Sequence, residues 1–261
     1  MRVFITAIGG FLGSALAAHL RARGHAVEGS TRREMELGRP FDSTVFENQD
    51  AVIHCAHDFT PGAFERNVIG ATAWMETAAA LGVRRQIFVS SYSARADATS
   101  EYGRAKQELE TRFLKHNYAV LRPGLVAGPG GLFARQRAAL LRTPVVPMAG
   151  GGAQPVAAIS LEDFLAAAAT VLEENRTGAF NLFYEPMPAY REFVRRVRAG
   201  KLTLFLPVPT GLALALTRAA ETLRVPLPVK SDQIRALEAN AGSLRVSDLA
   251  TLGLRQSELK F

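Results

Sequence analysis

Short apolar runs alternate with longer segments of helical periodicity through the first half of the chain. Val3-Phe4-Ile5-Thr6 predicts a buried strand, Phe11 to Arg23 a helix closed by Gly24, and Ala26 to Thr31 a second strand. Ala51 to Cys55 predicts the next strand and Phe64 to Leu81 a helix closed by Gly82. Gln86 to Ser91 (strand), Glu101 to Lys115 (helix) and Tyr118 to Arg122 (strand) continue the alternation. Unbroken apolar strands separated by helices belong to a parallel sheet covered on both faces. The expected fold is therefore α/β, a doubly wound parallel sheet. The pattern is thin from Glu34 to Gln49, which leaves room for a stub of strand at Phe41-Asp42 and little else.

The second half is less regular. Glycine-rich loops at 128–131 and 150–152 flank a helix near Phe133–Arg142. Ser160-Leu161-Glu162-Asp163 has the form of a helix cap and opens a helix to Glu174. A strand at Ala179–Phe183, a helix at Tyr190–Arg198 and a strand at Leu202–Leu206 follow. Thr210–Leu223 predicts an apolar helix packed in the core rather than lying on a membrane, and Ser231–Asn240 a final amphipathic helix. The C-terminal part is thus expected to be small and mostly helical, divided from the first near residue 130.

Composition narrows the class. The chain has 261 residues, 48% of them hydrophobic, with 31 Lys and Arg against 24 Asp and Glu for a net charge of +7. The basic residues are scattered, with short runs only at Arg32-Arg33, Arg84-Arg85 and Arg195-Arg196, which fits a solvated surface and not a nucleic-acid face. Cys55 is the one cysteine, so no internal disulfide forms and a reducing, cytoplasmic setting is expected. The apolar N-terminus has the look of a secretion signal, but Gly9, Gly10 and Gly13 break it where a signal core is helical. No stable membrane insertion and no metal site are expected.

The candidate chemistry begins at Thr6-Ala7-Ile8-Gly9-Gly10-Phe11-Leu12-Gly13, a glycine turn between the first strand and first helix. Helix N-terminal amides face a pyrophosphate there, and glycine lets the backbone approach it. A second constellation is Tyr102-Gly103-Arg104-Ala105-Lys106, where a phenol and an ammonium four apart share a helical face. A nearby cation and the helix N-terminus are expected to lower the phenol's pKa, suiting it to proton transfer. At the end of the second strand stands Thr31 with Arg32 and Arg33, where NAD-specific proteins of this fold place a carboxylate. Guanidinium groups there favour a 2′-phosphate, so NADP(H) is the expected cofactor, with NAD(H) still possible.

In order along the chain, these segments resemble the extended or atypical short-chain dehydrogenases/reductases, a Rossmann family of NAD-dependent epimerases, dehydratases and reductases. The glycine turn is similar to that family's Thr-Gly-x-x-Gly-x-x-Gly, with Ala7 in place of the first glycine. Asp50-Ala51-Val52-Ile53-His54-Cys55-Ala56-His57 resembles its Asp-x-Val-Ile-His-x-Ala-Ala strand, with His57 at the final alanine. Asn67-Val68-Ile69-Gly70, Phe88-Val89-Ser90-Ser91 and Leu121-Arg122-Pro123-Gly124-Leu125-Val126-Ala127-Gly128 resemble three further family segments.

The resemblance implies Ser91 (with Ser90 as the alternative hydroxyl), Tyr102 and Lys106 as catalytic residues, with Asn67 supporting the lysine through a water. It implies a cofactor held by Ala7, Gly9, Gly10, Phe11, Leu12, Gly13, Thr31, Arg32, Arg33, Cys55, Ala56, His57, Ser90, Tyr102, Lys106, Pro123, Gly124, Leu125 and Val126. The implied activity is hydride transfer between nicotinamide and a carbonyl or alcohol. Epimerisation or dehydration with a retained cofactor is a second reading. A third is non-catalytic NADPH binding, since Val229 to Leu254 resembles the close of the subgroup containing the nucleotide-binding accessory subunit of respiratory complex I. The expected partner is a small molecule, with Arg135 and Arg137 placed by sequence where they could reach an anionic group or lie on a surface helix, and the expected state is a monomer or homodimer. The ten residues between Ser91 and Tyr102 make a shorter loop than members acting on nucleotide sugars carry, which argues against such a substrate.

Overall fold

The computed structural model describes residues 1–222, 245–257 and 259. Six strands form one parallel sheet: β1 (Arg2–Thr6), β2 (Ala26–Ser30), β3 (Ala51–His54), β4 (Arg85–Val89), β5 (Ala119–Pro123) and β9 (Gly178–Leu182), in the order β2-β1-β3-β4-β5-β9. β1, β3, β4 and β5 are almost wholly buried because both faces are covered. One face packs on α1 (Phe11–Ala22) and α5 (Leu161–Glu173), through Leu16, Leu20, Phe164 and Leu172. The other packs on α2 (Phe64–Ala80) and α3 (Glu101–Lys115), through Trp74, Met75, Leu109 and Phe113. Because every strand runs the same way, the ends of β1, β3 and β4 reach one edge together, as the pairings Thr6 with His54 and His54 with Phe88 show.

The thin region holds no strand. Asp42 instead accepts hydrogen bonds from the backbone N–H and the hydroxyl of Thr44, capping one 3-10 turn over Ser43–Phe46. Met35, Leu37 and Phe46 then plug the face that a helix would otherwise cover. Gly70 makes this possible: a Cβ there would come within 2.5 Å of the Gly38 nitrogen, so the 37–38 loop lies directly on α2.

The second half carries more strand than its pattern predicts. β6 (Leu125–Ala127) pairs with β8 (Ala158–Ser160), and β7 (Val145–Ala149) with β10 (Leu204–Val208), each a parallel two-stranded ribbon. These strands are short, and prolines sit in β7 and β10, which hides their alternation. α4 (Gly131–Arg142) and α6 (Tyr190–Arg198) pack beside them through Phe133, Phe193 and Val197. The helix expected in the core, α7 (Thr210–Thr222), is peripheral: none of its described side chains is buried, and Leu212 is 52% exposed. Apolar composition cannot tell a core helix from one at the edge of a small ribbon. The expected helix at Ser231–Asn240 lies outside the described residues. The tail returns to cover the free edge of β9, where Asp248 N–H donates to Asn181 O at 2.8 Å and Asn181 N–H to the Asp248 carboxylate at 2.7 Å. Among the described residues no helix is long and apolar enough to cross a membrane.

The turn after β1 is strained at one residue. Ala7 has φ +56°, the left-handed region that glycine enters freely, and it stands where the family fingerprint has glycine. Gly13 must remain glycine, because a Cβ would lie 2.3 Å from the Ala7 carbonyl oxygen. Ala7→Gly is therefore expected to stabilise the protein by about 1 kcal/mol, a rise of roughly 2–4 °C in the melting temperature. Gly13→Ala should lower it by more, and calorimetry on both variants checks the pair.

Candidate active site

The glycine turn forms a cradle at the end of β1. Ile8 N–H donates to Ser30 O at 2.9 Å, tying the turn to β2. Gly10 caps α1 with no side chain bonded to the helix amides, and the first turn holds no acidic residue. Those amides lack intrahelical partners and carry the positive end of the helix dipole. The position lies between β1 and β3, where the winding of the sheet reverses and a crevice opens. These features fit a dinucleotide pyrophosphate. The Phe11 ring lies against the 128–131 loop, so close that a Cβ on Gly130 or Gly131 would approach it to 2.6 Å.

Thr6 joins the two strands beneath the crevice. Its buried hydroxyl accepts from Cys55 N–H at 3.0 Å and Ala56 N–H at 3.2 Å. The Cys55 thiol is pushed up to about 12 by burial and stays protonated. His54 Nε2–H donates to Gln86 Oε1 at 2.8 Å inside the sheet, and burial holds its pKa near 4, so it is a core histidine. On the far side, Gly124 carries the chain from β5 into β6. A Cβ there would meet Ala157 O at 2.5 Å, and Leu125 N–H donates to that oxygen at 2.8 Å. Pro123, Gly124, Leu125 and Val126 thereby line the step between the main sheet and the ribbon.

Ser90 and Ser91 separate just past β4. The Ser90 hydroxyl is buried and donates to Glu110 at 2.6 Å, and Glu110 also pairs with Arg122 at 2.6 Å. The Ser91 side chain lies near enough to the Tyr102 phenol to pull its pKa down, and its hydroxyl accepts from Ser93 N–H at 3.2 Å. Ser100 caps α3, accepting from Gly103 N–H at 3.0 Å, and places Tyr102 in the first turn. Lys106 follows one turn later and is buried. Its Nζ donates to Val89 O at 2.7 Å and lies 5.9 Å from the centre of the Tyr102 ring. The expected lowering of the tyrosine pKa is not found. Burial raises it, Ser91 pulls it back in part, and the phenol remains protonated. Burial also lowers Lys106 to about 8, against the opposing pull of Cys55 and Glu110.

Asn67 is engaged by the loop after β3. Its amide accepts from Asp58 N–H at 2.8 Å and donates to Asp58 O and Ala63 O at 2.8 and 2.9 Å, clamping the loop after β3. That loop brings His57 and Phe59 beside Tyr102, with ring centroids 4.9 and 5.7 Å away. Phe59 belongs to no periodic segment, so nothing in the apolar pattern marks it. Glu34 is not marked by it either, although Thr31-Arg32-Arg33-Glu34 has the form of a capping box. Its carboxylate accepts from Thr31 N–H at 2.7 Å and the Thr31 hydroxyl at 2.9 Å, which lowers its pKa. Arg32 lies 3.6 Å from the Asp58 carboxylate and is 67% exposed, and Arg33 is exposed. Arg135 and Arg137 are exposed on α4. Among the described residues no group of three His, Cys, Asp or Glu side chains could hold a metal.

Residues 3–182 match the family model described as the NAD dependent epimerase/dehydratase family. The chain belongs to that family, and it is an NAD(P)-dependent oxidoreductase or epimerase/dehydratase. A curated relative, the 3-diazoavenalumate denitrifying reductase of a Streptomyces species, is 28% identical over 83% of this chain and 86% of its own. Among solved structures, a dTDP-4-dehydrorhamnose reductase from Clostridium acetobutylicum matches with TM-score 0.71 and 18% identity over 94% of both chains. MoeE5, in complex with UDP-glucose and NAD, matches with TM-score 0.63 and 22% identity over 81% of this chain and 87% of its own.

The buried histidine makes stability depend on pH. The unfolded chain protonates His54 near 6.5, whereas the folded chain resists until about 4. Stability is therefore full above 6.5 and falls as the pH drops from 6.5 towards 4. A loss on the order of 1–3 kcal/mol is expected across that window. Urea midpoints at pH 7.5, 6 and 5 measure it, and His54→Gln should make the trend shallower without abolishing it, because His57, held near 2, titrates in the same window.

Proposed function

We propose that the protein is an NADP(H)-dependent reductase of the short-chain type, with Tyr102 as the acid/base and a carbonyl/alcohol pair as substrate and product. The observation that carries this reading is the Tyr102 phenol beside Ser91, with the buried Lys106 one turn behind it and 5.9 Å from its ring centre, at the edge where the glycine cradle opens. The residues Ala7 to Gly13, Thr31 to Arg33, Cys55 to His57, Ser90 and Pro123 to Val126 would hold the dinucleotide, whose nicotinamide supplies or accepts the hydride. Ser91 holds the substrate oxygen. Tyr102, protonated at rest, donates its proton to that oxygen as it gains charge. Lys106, cationic below about 8, stabilises the phenolate left behind. The Streptomyces relative's name describes a reductase of a diazo compound, so the hydride acceptor need not be carbon–oxygen. A single cysteine fits a cytoplasmic setting, and the protein is a monomer or homodimer in this reading.

A second reading, NADPH binding without turnover, is favoured by the Lys106 contact to Val89 O, which directs the ammonium to the backbone. It extends the resemblance to the complex I accessory subunit, carried largely by residues outside the described set. Tyr102→Phe separates the two. It should lower kcat by a factor on the order of 10² or more, and unchanged turnover would select the binding protein. The wild-type reduction rate should also decline as the pH rises through about 8, where Lys106 loses its charge.

The preference for NADP rests on Arg32 and Arg33, with Glu34 as the opposing charge. Its carboxylate is engaged with Thr31, and Arg32, 67% exposed with only long contacts to Glu36 at 3.5 Å and Asp58 at 3.6 Å, would exchange them for a 2′-phosphate. Calorimetric titration of wild type should show NADPH bound more tightly than NADH. Thr31→Asp with Arg32→Ala should reverse the order. A wild-type preference for NADH would return both arginines to the surface.

A further inference from the structure

Phe59 is an aromatic ring set in the open beside the acid/base. It is 71% exposed, yet its ring stacks on Tyr102 with 19° between the planes, and the edge of His57 meets it at 4.8 Å. A single exposed apolar side chain is ordinary on a protein surface. The loop that presents this one is heavily built. The Asp58 carboxylate accepts from Thr60 N–H at 3.0 Å, the Thr60 hydroxyl at 2.6 Å and Arg66 at 2.6 Å, while Asn67 holds the Asp58 backbone on both sides. Gly62 N–H reaches across to Glu101 at 3.0 Å, fixing the same loop to the start of α3, the turn that carries Tyr102. Phe59 is thus held in place before any ligand arrives.

The groups that touch the ring, Tyr102 and His57, are themselves aromatic. Burial and the Lys106 charge hold the His57 pKa near 2, so its imidazole is neutral, and Nδ1 is enclosed without a hydrogen-bond partner. It serves as a wall. The Asp58 charge is turned to Arg66 and Arg32. His57 also stands where the family strand pattern has alanine, so the three-ring corner is a feature of this chain. The ring faces of Phe59 and His57 offer a puckered, hydroxylated ring no polar contact, whereas a flat π system gains from offset and edge contacts with them.

We propose that Phe59 is the specificity-determining residue of this active site, and that the substrate is a planar, conjugated ring compound seated on its open face with the reducible group at Tyr102. This rests on the reductase reading for its chemistry, but the recognition can be measured apart from it. The probe is 2-naphthoate, whose own fluorescence anisotropy reports binding, titrated with and without NADP⁺ into wild type, Phe59→Ala and Phe59→Trp. Wild type should bind it, Phe59→Ala should bind roughly two- to ten-fold more weakly, and Phe59→Trp, which keeps a flat ring, should retain affinity. Cyclohexanecarboxylate, of like charge but puckered, should displace the probe at least about ten-fold less well than unlabelled 1-naphthoate. No binding by wild type, equal affinity in Phe59→Ala, or equal displacement by the two acids overturns the proposal. A separate assay of NADPH oxidation with 2-naphthaldehyde tests the chemistry. Binding without turnover would remove the carbonyl reading and leave the role of Phe59 standing, whereas turnover insensitive to Phe59→Ala would do the reverse.

Discussion

The buried Glu110–Arg122 pair fixes the geometry on which the site depends. Glu110 is fully buried on α3, takes two hydrogen bonds from Arg122 on β5 at 2.6 and 2.9 Å, and a third from Ser90 at the end of β4. A carboxylate removed from water is tolerated only when its lone pairs are satisfied, so the pair specifies one position of the helix against the sheet. Tyr102 and Lys106 lie on that same helix, two and one turns earlier. With Ser90 drawn inward, the next residue, Ser91, is directed to the phenol.

The same packing explains the protonation pattern. Tyr102 and Lys106 are both pushed towards their neutral forms by burial, one raised and the other lowered. A phenol that holds its proton beside a lysine near 8 is what the proposed proton donation at neutral pH requires. Helix spacing alone suggested the contrary direction for the tyrosine, because spacing reports that two groups are neighbours and says nothing of how much water surrounds them.

The cofactor cradle shows a tension between local conformation and close packing. Ala7 holds a left-handed conformation, and the carbonyl it positions leaves no room for a side chain at Gly13. The family's first glycine would relieve the strain, while the third cannot be changed without moving α1. The departure at Ala7 thus affects the energy of the turn and leaves its path intact.

The amino-acid sequence by itself determined the parallel sheet, the positions of α1, α2, α3, α5 and α6, the glycine turn and the Tyr102–Lys106 pair. Each is written in local periodicity or in a spacing of a few residues, where backbone geometry leaves little choice. Only the tertiary structure decided which serine turns to Tyr102, that Asn67 clamps the Asp58 loop, and that Phe59 stands beside the phenol. It also decided that residues 125–127 and 158–160, far apart in the chain, make a ribbon. These depend on contacts between segments distant in sequence, and on burial. Neither leaves a mark in the local order of apolar and polar residues.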